Sequence, residues 1–373
     1  MASIRAFEDA LERLTPADLD DLDPSRSARI LPALFNRLST VAGRPVFGVR
    51  RPEWRALEDK LTAEPLWDAV GMPRAPAQVV DADISCLRAA HERLKTAQGT
   101  VWAGDVREGF HGGAEYTRWV HDEATLQSAA DFLSAHADRV RVMPFLDGLP
   151  CSIHALVGAG GQVAVLRPCE LLILRRPETG RFAYAGAATT WDPSPADRQD
   201  MRALARRVAG HLSETLGYRG AFTLDGIMTA AGFLPTEINP RYGGALNVMA
   251  RATPDLHLYL FNQLLLEGQG DALLPELERT VLKAADANRG AFAIAFVEAV
   301  PDEEQVEPFR SQGVEAMIHY GKGSTGGFVR VAFVADTIPA HTPAAPWVQA
   351  AFARADEVWG TRIGAVQPAP QLR

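Results

Sequence analysis

Apolar residues recur three and four apart over "AFEDALERL" (6–14) and "RILPALFNRLSTV" (29–41), the spacing that gives a helix one buried face. "DPS" at 23–25 supplies turn and capping chemistry before the second, so residues 1–60 are predicted to be mostly helical, with "RPVFGV" as one short strand. Residues 56–70 read as helix again, and "GMPRAPAQVV" breaks it and leads into a strand. "GTVWAGD" (99–105) is a strand, "REGFHGGAEYTRWV" a glycine-containing hairpin, and "DEATLQSAADFLSAHA" an amphipathic helix with acids in its first turn, where the helix dipole favours them. "RVRVMPFLDG" runs as a strand into a turn, and "SIHALVGAGGQVAVLRP" folds back at residues 158–161. A long helix over 195–216 stops at Gly217, the hairpin "GAFTLDGIMTAAGFLPTEINPR" follows, and another helix spans "PDLHLYLFNQLLLEG". Two strand-rich stretches after residue 285 suggest a small closing domain. Antiparallel hairpins separated by helices make this an α+β chain, without the regular alternation of a doubly wound sheet.

Composition narrows the function. Among 373 residues, 47% are hydrophobic and 23% charged, which reads as globular. No apolar run reaches the roughly 18 residues of a membrane span, and the charged start "MASIRAFEDALERL" is unlike a signal peptide, so a cytoplasmic location and no membrane partner are expected. A formal charge of -8 argues against nucleic acid as the main partner. Cys86, Cys151 and Cys169 have no metal-like spacing and are expected to be buried thiols.

The chemistry concentrates in "PTEINPRYGGALN" (235–247). If Ala230-Ala231-Gly232 is a three-residue loop with glycine in its left-handed position, Asp225 falls opposite Glu237. Side chains alternate along a strand, so Glu237 and Asn239 share a face, and Asp225 joins them across the ladder. Two carboxylates so placed repel unless a cation or proton lies between them, and oxygen ligands including an amide suit Mg²⁺. Pro240 and Gly243-Gly244 end the strand, and Arg241 sets a fixed cation beside the proposed metal.

At these residues the sequence resembles the ATP-grasp superfamily, whose metal-binding hairpin pairs an acid on one strand with Glu-x-Asn on the next. The resemblance covers roughly residues 56 to 270. It implies two α+β subdomains gripping ATP, a short helical N-terminal region and a small C-terminal β-rich domain. The boundaries it suggests are 1–55, 56–141 (small subdomain with the glycine loop), 142–285 (large subdomain with the metal hairpin) and 286–373. Asp225, Glu237 and Asn239 would hold Mg²⁺ on ATP. Lys60 would contact phosphate, and Gly112 and Gly113 would lie in a loop closing over the phosphates, with His111 beside them. Pro144, Phe145 and Leu146 would bind adenine through the backbone, and Asp147 the ribose. Arg241 and Arg167 would face the transferred phosphoryl group, with Glu170, Arg175 and Arg176 as further candidates. The family's second lysine is missing, because Trp102 and Ala103 occupy its place; Arg107 and Lys95 are the substitutes in the sequence. "GKGSTGG" (321–327) lacks the order of a phosphate-binding loop and reads as a turn. The implied activity is ATP-dependent ligation of a carboxylate to an amine through an acyl phosphate, with an amino acid or small peptide as the commonest acceptor. A nucleotide-binding protein without catalysis and a kinase on the same scaffold stay open, as do the substrates and the oligomeric state.

Overall fold

The computed structural model describes residues 10–31, 37–109, 112–323 and 326–369. The helices expected at 6–14 and 29–41 lie in part outside the described residues; residues 10–12 of the first are helical. Around them a 3-10 turn covers Pro16–Leu19, strands β1 (Thr40–Val41) and β2 (Arg44–Pro45) form a short hairpin, and Ile30 bridges to Val46. Arg44 ties these turns together. Its buried guanidinium donates to Asp23 and Asp20 carboxylates and to the carbonyls of Asp23 and Ala42. These acceptors satisfy a cation that would be costly to bury unpaired.

The small lobe opens with 3-10 turns at Ala56–Glu58 and Lys60–Thr62, then helix α1 (Ala63–Ala69). Strands β3 (Gln78–Asp81), β4 (Thr100–Gly104), β5 (Thr117–Val120) and β6 (Arg139–Pro144) pair antiparallel in the order β3-β6-β4-β5. Helices α2 (Ile84–Leu94) and α3 (Glu123–His136) cover one face, where Leu87, Trp102, Leu133 and Val142 pack. Asp83 and Asp122 cap these helices with their carboxylates. Residues that alternate with that core, Ala103 and Arg141, lie opposite one another on the other face.

The large lobe contains β7 (Leu149–Val157), β8 (Val163–Val165), β9 (Cys169–Arg176), β10 (Arg181–Ala188), β11 (Gly220–Thr229) and β12 (Gly232–Asn239). Its order is β12-β11-β7-β9-β10. Helix α4 (Pro195–Leu216) has Ser194 at its N-cap and left-handed Gly217 at its end, and buries Met201, Leu204, Val208 and Leu212 against Ile153, Phe222 and Leu224. Helices α5 (Gly244–Arg251), α6 (Leu258–Leu266) and α7 (Leu274–Ala287) follow the hairpin and form a second core with Leu156, Ala187 and Ala221.

The last strands, β13 (Ala291–Val297), β14 (Gln305–Ser311), β15 (Val314–Gly323) and β16 (Gly326–Phe333), continue the same sheet, because β13 pairs with β10. "GKGSTGG" falls at the β15–β16 hairpin, with Ser324 and Thr325 outside the described residues. Helix α8 (Ala345–Trp359) covers one face of this extension through Val348, Phe352 and Ala355. Among the described residues no helix is long and apolar enough to cross a membrane. Cys151 and Cys169 are buried, and Cys86 is half-buried.

Candidate active site on the β11–β12 hairpin

The hairpin reaches the expected register by an unexpected route. Its loop has two residues, Ala230 and Ala231, because Gly232, at φ +106°, pairs with Thr229. That shorter loop alone would place Asp225 opposite Thr236. A bulge at Thr236 restores the register, so Asp225 opposes Glu237 and Thr223 opposes Asn239. Three oxygen-bearing side chains thus share one face, opposite the α4 core.

Their contacts form a charged chain. Asn239 Nδ2 donates to Asp225 Oδ2 at 2.8 Å, and Arg241 Nη2 donates to Asn239 Oδ1 at 3.0 Å. Lys60 Nζ forms an ion pair with Glu237. Asp59 positions that lysine by capping its 3-10 turn through the Leu61 N–H. Arg241 Nε lies 3.4 Å from Glu58, which also holds Arg50 at 2.8 Å, and Arg50 in turn donates to the Pro240 carbonyl at 3.2 Å. Burial and then the Glu237 charge push Asp225 well above the usual carboxylate range. Burial also works to raise Glu237, but the Lys60 ammonium prevails and holds it below that range. The two carboxyls therefore favour one negative charge unless another cation joins them.

Asp225 Oδ1 is buried with no hydrogen-bond partner among the described residues. An orphaned carboxylate oxygen beside a second carboxylate and an amide fits a hard cation such as Mg²⁺, which takes oxygen ligands and completes its shell with water and phosphate. Among the described residues no three His, Cys, Asp or Glu side chains gather as a metal site, so the protein would offer two carboxylates and the Asn239 amide.

The double glycine has a steric reason. A Cβ on Gly243 would sit 2.6 Å from Thr223 Oγ1, and one on Gly244 would sit 2.8 Å from Tyr184 Oη. Both glycines let the backbone lie against the polar face of the sheet. Behind the carboxylates, Ser152 Oγ lies 2.9 Å from His154 Nε2, and His154 Nδ1 lies 3.1 Å from Thr223 Oγ1. Burial lowers His154 to about 3, so this imidazole is neutral and orients its neighbours.

Several sequence candidates go elsewhere. Arg167 is fully buried, paired with Asp192 at 2.6 Å and Asp286 at 2.9 Å, and donates to the carbonyls of Ala285 and Trp191. It ties the 189–192 segment to α7, and its donors are committed there, away from a phosphoryl group. Glu170, on the α8 side of β9, accepts the N–H groups of Ala344 and Ala345 and caps α8. Arg175 lies over Trp119 and Phe145, 5.1 and 5.8 Å from the ring centroids, and donates to the Pro368 carbonyl; Arg176 donates to the Ile363 carbonyl. Phe145 has both backbone groups engaged, its N–H with the Gly99 carbonyl at 3.0 Å and its C=O with Thr96 Oγ1 at 3.3 Å. Of the expected adenine contacts, Phe145 is thereby limited to its ring. Pro144 ends β6, Leu146 is half-buried and Asp147 exposed. Gly112 and Gly113 lie on the β4–β5 connection, and His111 lies outside the described residues.

Neither suggested lysine substitute reaches the hairpin. Arg107 pairs with Asp138 and Lys95 with Glu92. The cation that does reach it is Arg141, across the ladder from Ala103. Its side chain is 4% exposed, pairs with Glu64 at 2.5 Å and donates to the Thr236 carbonyl at 2.9 Å. Arg141, Arg50, Glu58 and Tyr184 carry no sequence signal of their own. For Arg141 the alternation of "RVRVMP" with Val140 and Val142 in the core could have indicated the open face.

Comparisons with known proteins agree with this architecture. Residues 112–245 match the sequence model of the ATP-grasp domain. The structure is similar to N5-carboxyaminoimidazole synthase from Aspergillus clavatus, solved with ADP and 5-aminoimidazole ribonucleotide (12% identity, 95% of this chain and 84% of that chain, TM-score 0.54). It is also similar to phosphoribosylamine–glycine ligase from Thermotoga maritima (18% identity, 85% and 78% covered, TM-score 0.52). A third likeness is the biotin carboxylase domain of 2-oxoglutarate carboxylase from Hydrogenobacter thermophilus, solved with MgADP, ADP and bicarbonate (15% identity, 83% and 67% covered, TM-score 0.52). No curated protein matches the sequence.

Proposed function

We propose that this chain, a member of the ATP-grasp superfamily, is an ATP-dependent ligase that joins a carboxylate to an amine. The observation that carries the reading is the convergence of Asp225, Glu237 and Asn239 with Arg241 hydrogen-bonded beside them. Asp225, Glu237 and Asn239 would hold Mg²⁺, which supplies charge neutralisation on the ATP phosphates when bound. The bond broken is that between the γ-phosphorus and the bridging oxygen. The bond formed joins that phosphorus to a substrate carboxylate oxygen, giving ADP and an acyl phosphate. The amine then attacks the acyl carbon, phosphate leaves, and the amine proton passes to solvent.

The residues of the chain position and stabilise charge. Arg241, fixed by Asn239 and Glu58, faces the place where negative charge grows on the transferred group. Lys60 and Arg141 reach the hairpin from the small-lobe side and supply cations for phosphate oxygens. Gly112 and Gly113 would cover the phosphates, and Pro144, Leu146 and Asp147 would line the nucleoside end. Among the similar structures, one is by name a ligase and another, a biotin carboxylase domain, was solved with MgADP and bicarbonate.

The test is ADP release on mixtures of carboxylates and amines, with Arg241→Ala as the diagnostic variant. A contact made mainly in the transition state lowers kcat with little change in ATP affinity. The variant should therefore bind ATP by calorimetry and fail to form ADP. A competing reading, nucleotide binding without catalysis, draws on Ala103 where the resemblance expects a lysine. It would be upheld by a wild type that releases no ADP with any mixture and a variant that no longer binds ATP.

A further inference from the structure

The large-lobe sheet runs past the hairpin into the C-terminal strands, and where α5 ends on it two arginines that the chemistry above does not use come together, Arg251 of α5 and Arg330 of β16. Tyr184 of β10 sits against Gly244, and Ala187, three residues further along β10, pairs with Phe292 of β13. That step is about 10 Å along the strand. Helix α5 covers a similar span, about 10 Å over its seven steps from Gly244 to Arg251. At its end the Arg251 guanidinium lies over the Phe292 ring, 4.6 Å from the centroid. Across the β13–β16 ladder, Ala332 opposes Phe292 and Arg330 opposes Ile294. Arg330 is therefore the diagonal neighbour of Phe292 on the same face, about 7–8 Å away by backbone, within reach of an arginine side chain.

Neither arginine has an acidic partner among the described residues. Arg330 Nε is buried and finds no acceptor there. Across β15–β16 its neighbour is His319, whose Nδ1 faces Glu304 at 3.2 Å, so that acid is directed to the imidazole. Burial and then the charge of Arg330 lower the pKa of Arg251, as expected for two guanidiniums left facing each other. Arg330 is half-buried and Arg251 exposed, whereas the buried arginines among the described residues have carboxylate or carbonyl acceptors: Arg44 has both, Arg141 both, Arg167 both. Two planar, permanently charged forks without a counter-ion, one laid on an aromatic face, form a receptor for a carboxylate or a phosphate.

We propose that Arg251 and Arg330 bind an oxyanion carried by the ligase substrate, at a point remote from its reacting group. This rests on the ligase reading for the identity of the ligand, though not for the anion site itself. The substrate would lie along β10 and α5, its reacting end at Arg241 and its anionic end at Phe292. The class implied is a bifunctional acid: a second carboxylate or a phosphate monoester about 10 Å or more from the carboxyl or amine that reacts.

The experiment uses the full-length chain and titrates inorganic phosphate and succinate by calorimetry, with chloride balancing ionic strength. Saturable binding of at least one is expected, and Arg251→Gln or Arg330→Gln should weaken it about tenfold or more. The double lysine variant keeps the charge without the fork and should fall between. Phosphate binding more tightly than succinate would point to a phosphoryl group, and the reverse to a carboxylate. Equal binding by wild type and both glutamine variants, or none beyond chloride, would overturn the proposal. MgADP binding is followed in the same samples. If MgADP fails to bind while the anion effect holds, the ligase reading falls and the anion site stands; the opposite outcome removes the site alone.

Discussion

Replacing Glu170 by glutamine should expose a pH dependence that the wild-type protein conceals. Burial pushes Glu170 from 4.5 up to about 7, against the pull of the two N–H groups it caps. Its native form therefore holds a proton that the unfolded chain has released. The associated stability is complete below about pH 4.5 and is lost as pH rises through 7, about 3 kcal/mol in all. His154 runs the other way. Burial lowers it from 6.5 to about 3, so the unfolded chain takes up a proton that the native imidazole refuses. Its contribution is complete above about pH 6.5 and is lost as pH falls toward 3. Between pH 4.5 and 6.5 the two slopes oppose each other at about 1.4 kcal/mol per pH unit. With Glu170→Gln only the His154 slope remains. The variant should gain about 3 kcal/mol relative to wild type from pH 4.5 to 6.5, read from urea unfolding at three pH values. All other groups titrate in both proteins and cancel. Parallel pH curves for the two proteins would refute the reasoning, and His154→Gln should tilt the difference in the opposite sense.

Arg167→Met should destabilise the protein by about 1–3 kcal/mol in urea, because it leaves the buried carbonyls of Ala285 and Trp191 without their donor while Asp192 keeps Arg289 and Asp286 keeps Arg198; the folded variant should keep the ATP KM of the wild type. Lys60→Met removes the charge that holds Glu237 ionised, so the acid limb of ADP formation should move to higher pH in a kcat/KM profile. Amide exchange at Gly112 and Gly113 should slow when MgATP binds, and equal protection with and without nucleotide would count against a closing loop.

The hairpin was legible in the sequence because its chemistry is local: an acid, a turn and Glu-x-Asn lie within fifteen residues, from Asp225 to Asn239. Even so, the loop is one residue shorter than its sequence suggests, and the Thr236 bulge, which has no composition signature, compensates. Lys60 was placed by resemblance, and its contact with Glu237 joins residues far apart in the chain. Arg167 and Glu170 go elsewhere because a resemblance matches positions in a sequence without giving the contacts their side chains make. Here the α8 N-terminus claims Glu170 and a carboxylate pair claims Arg167. The helix expected at 29–41 has its middle, residues 32–36, outside the described residues; the pairing of Arg44 with Asp20 and Asp23 nearby carries no periodicity signal. Arg141 stayed hidden because its value depends on the bulge carbonyl it reaches.

That bulge also sets how the chain tolerates changes in length. A residue added between Ala230 and Ala231 lies beyond the ladder and leaves Asp225 facing Glu237. Deleting Thr236 would remove the bulge, and Glu237 would then take the place opposite Asp225, so the two carboxylates and Asn239 keep their common face. What that deletion does remove is the carbonyl that anchors Arg141. The tip is thus a permissive position, whereas residue 236 serves as the tie between the hairpin and β6.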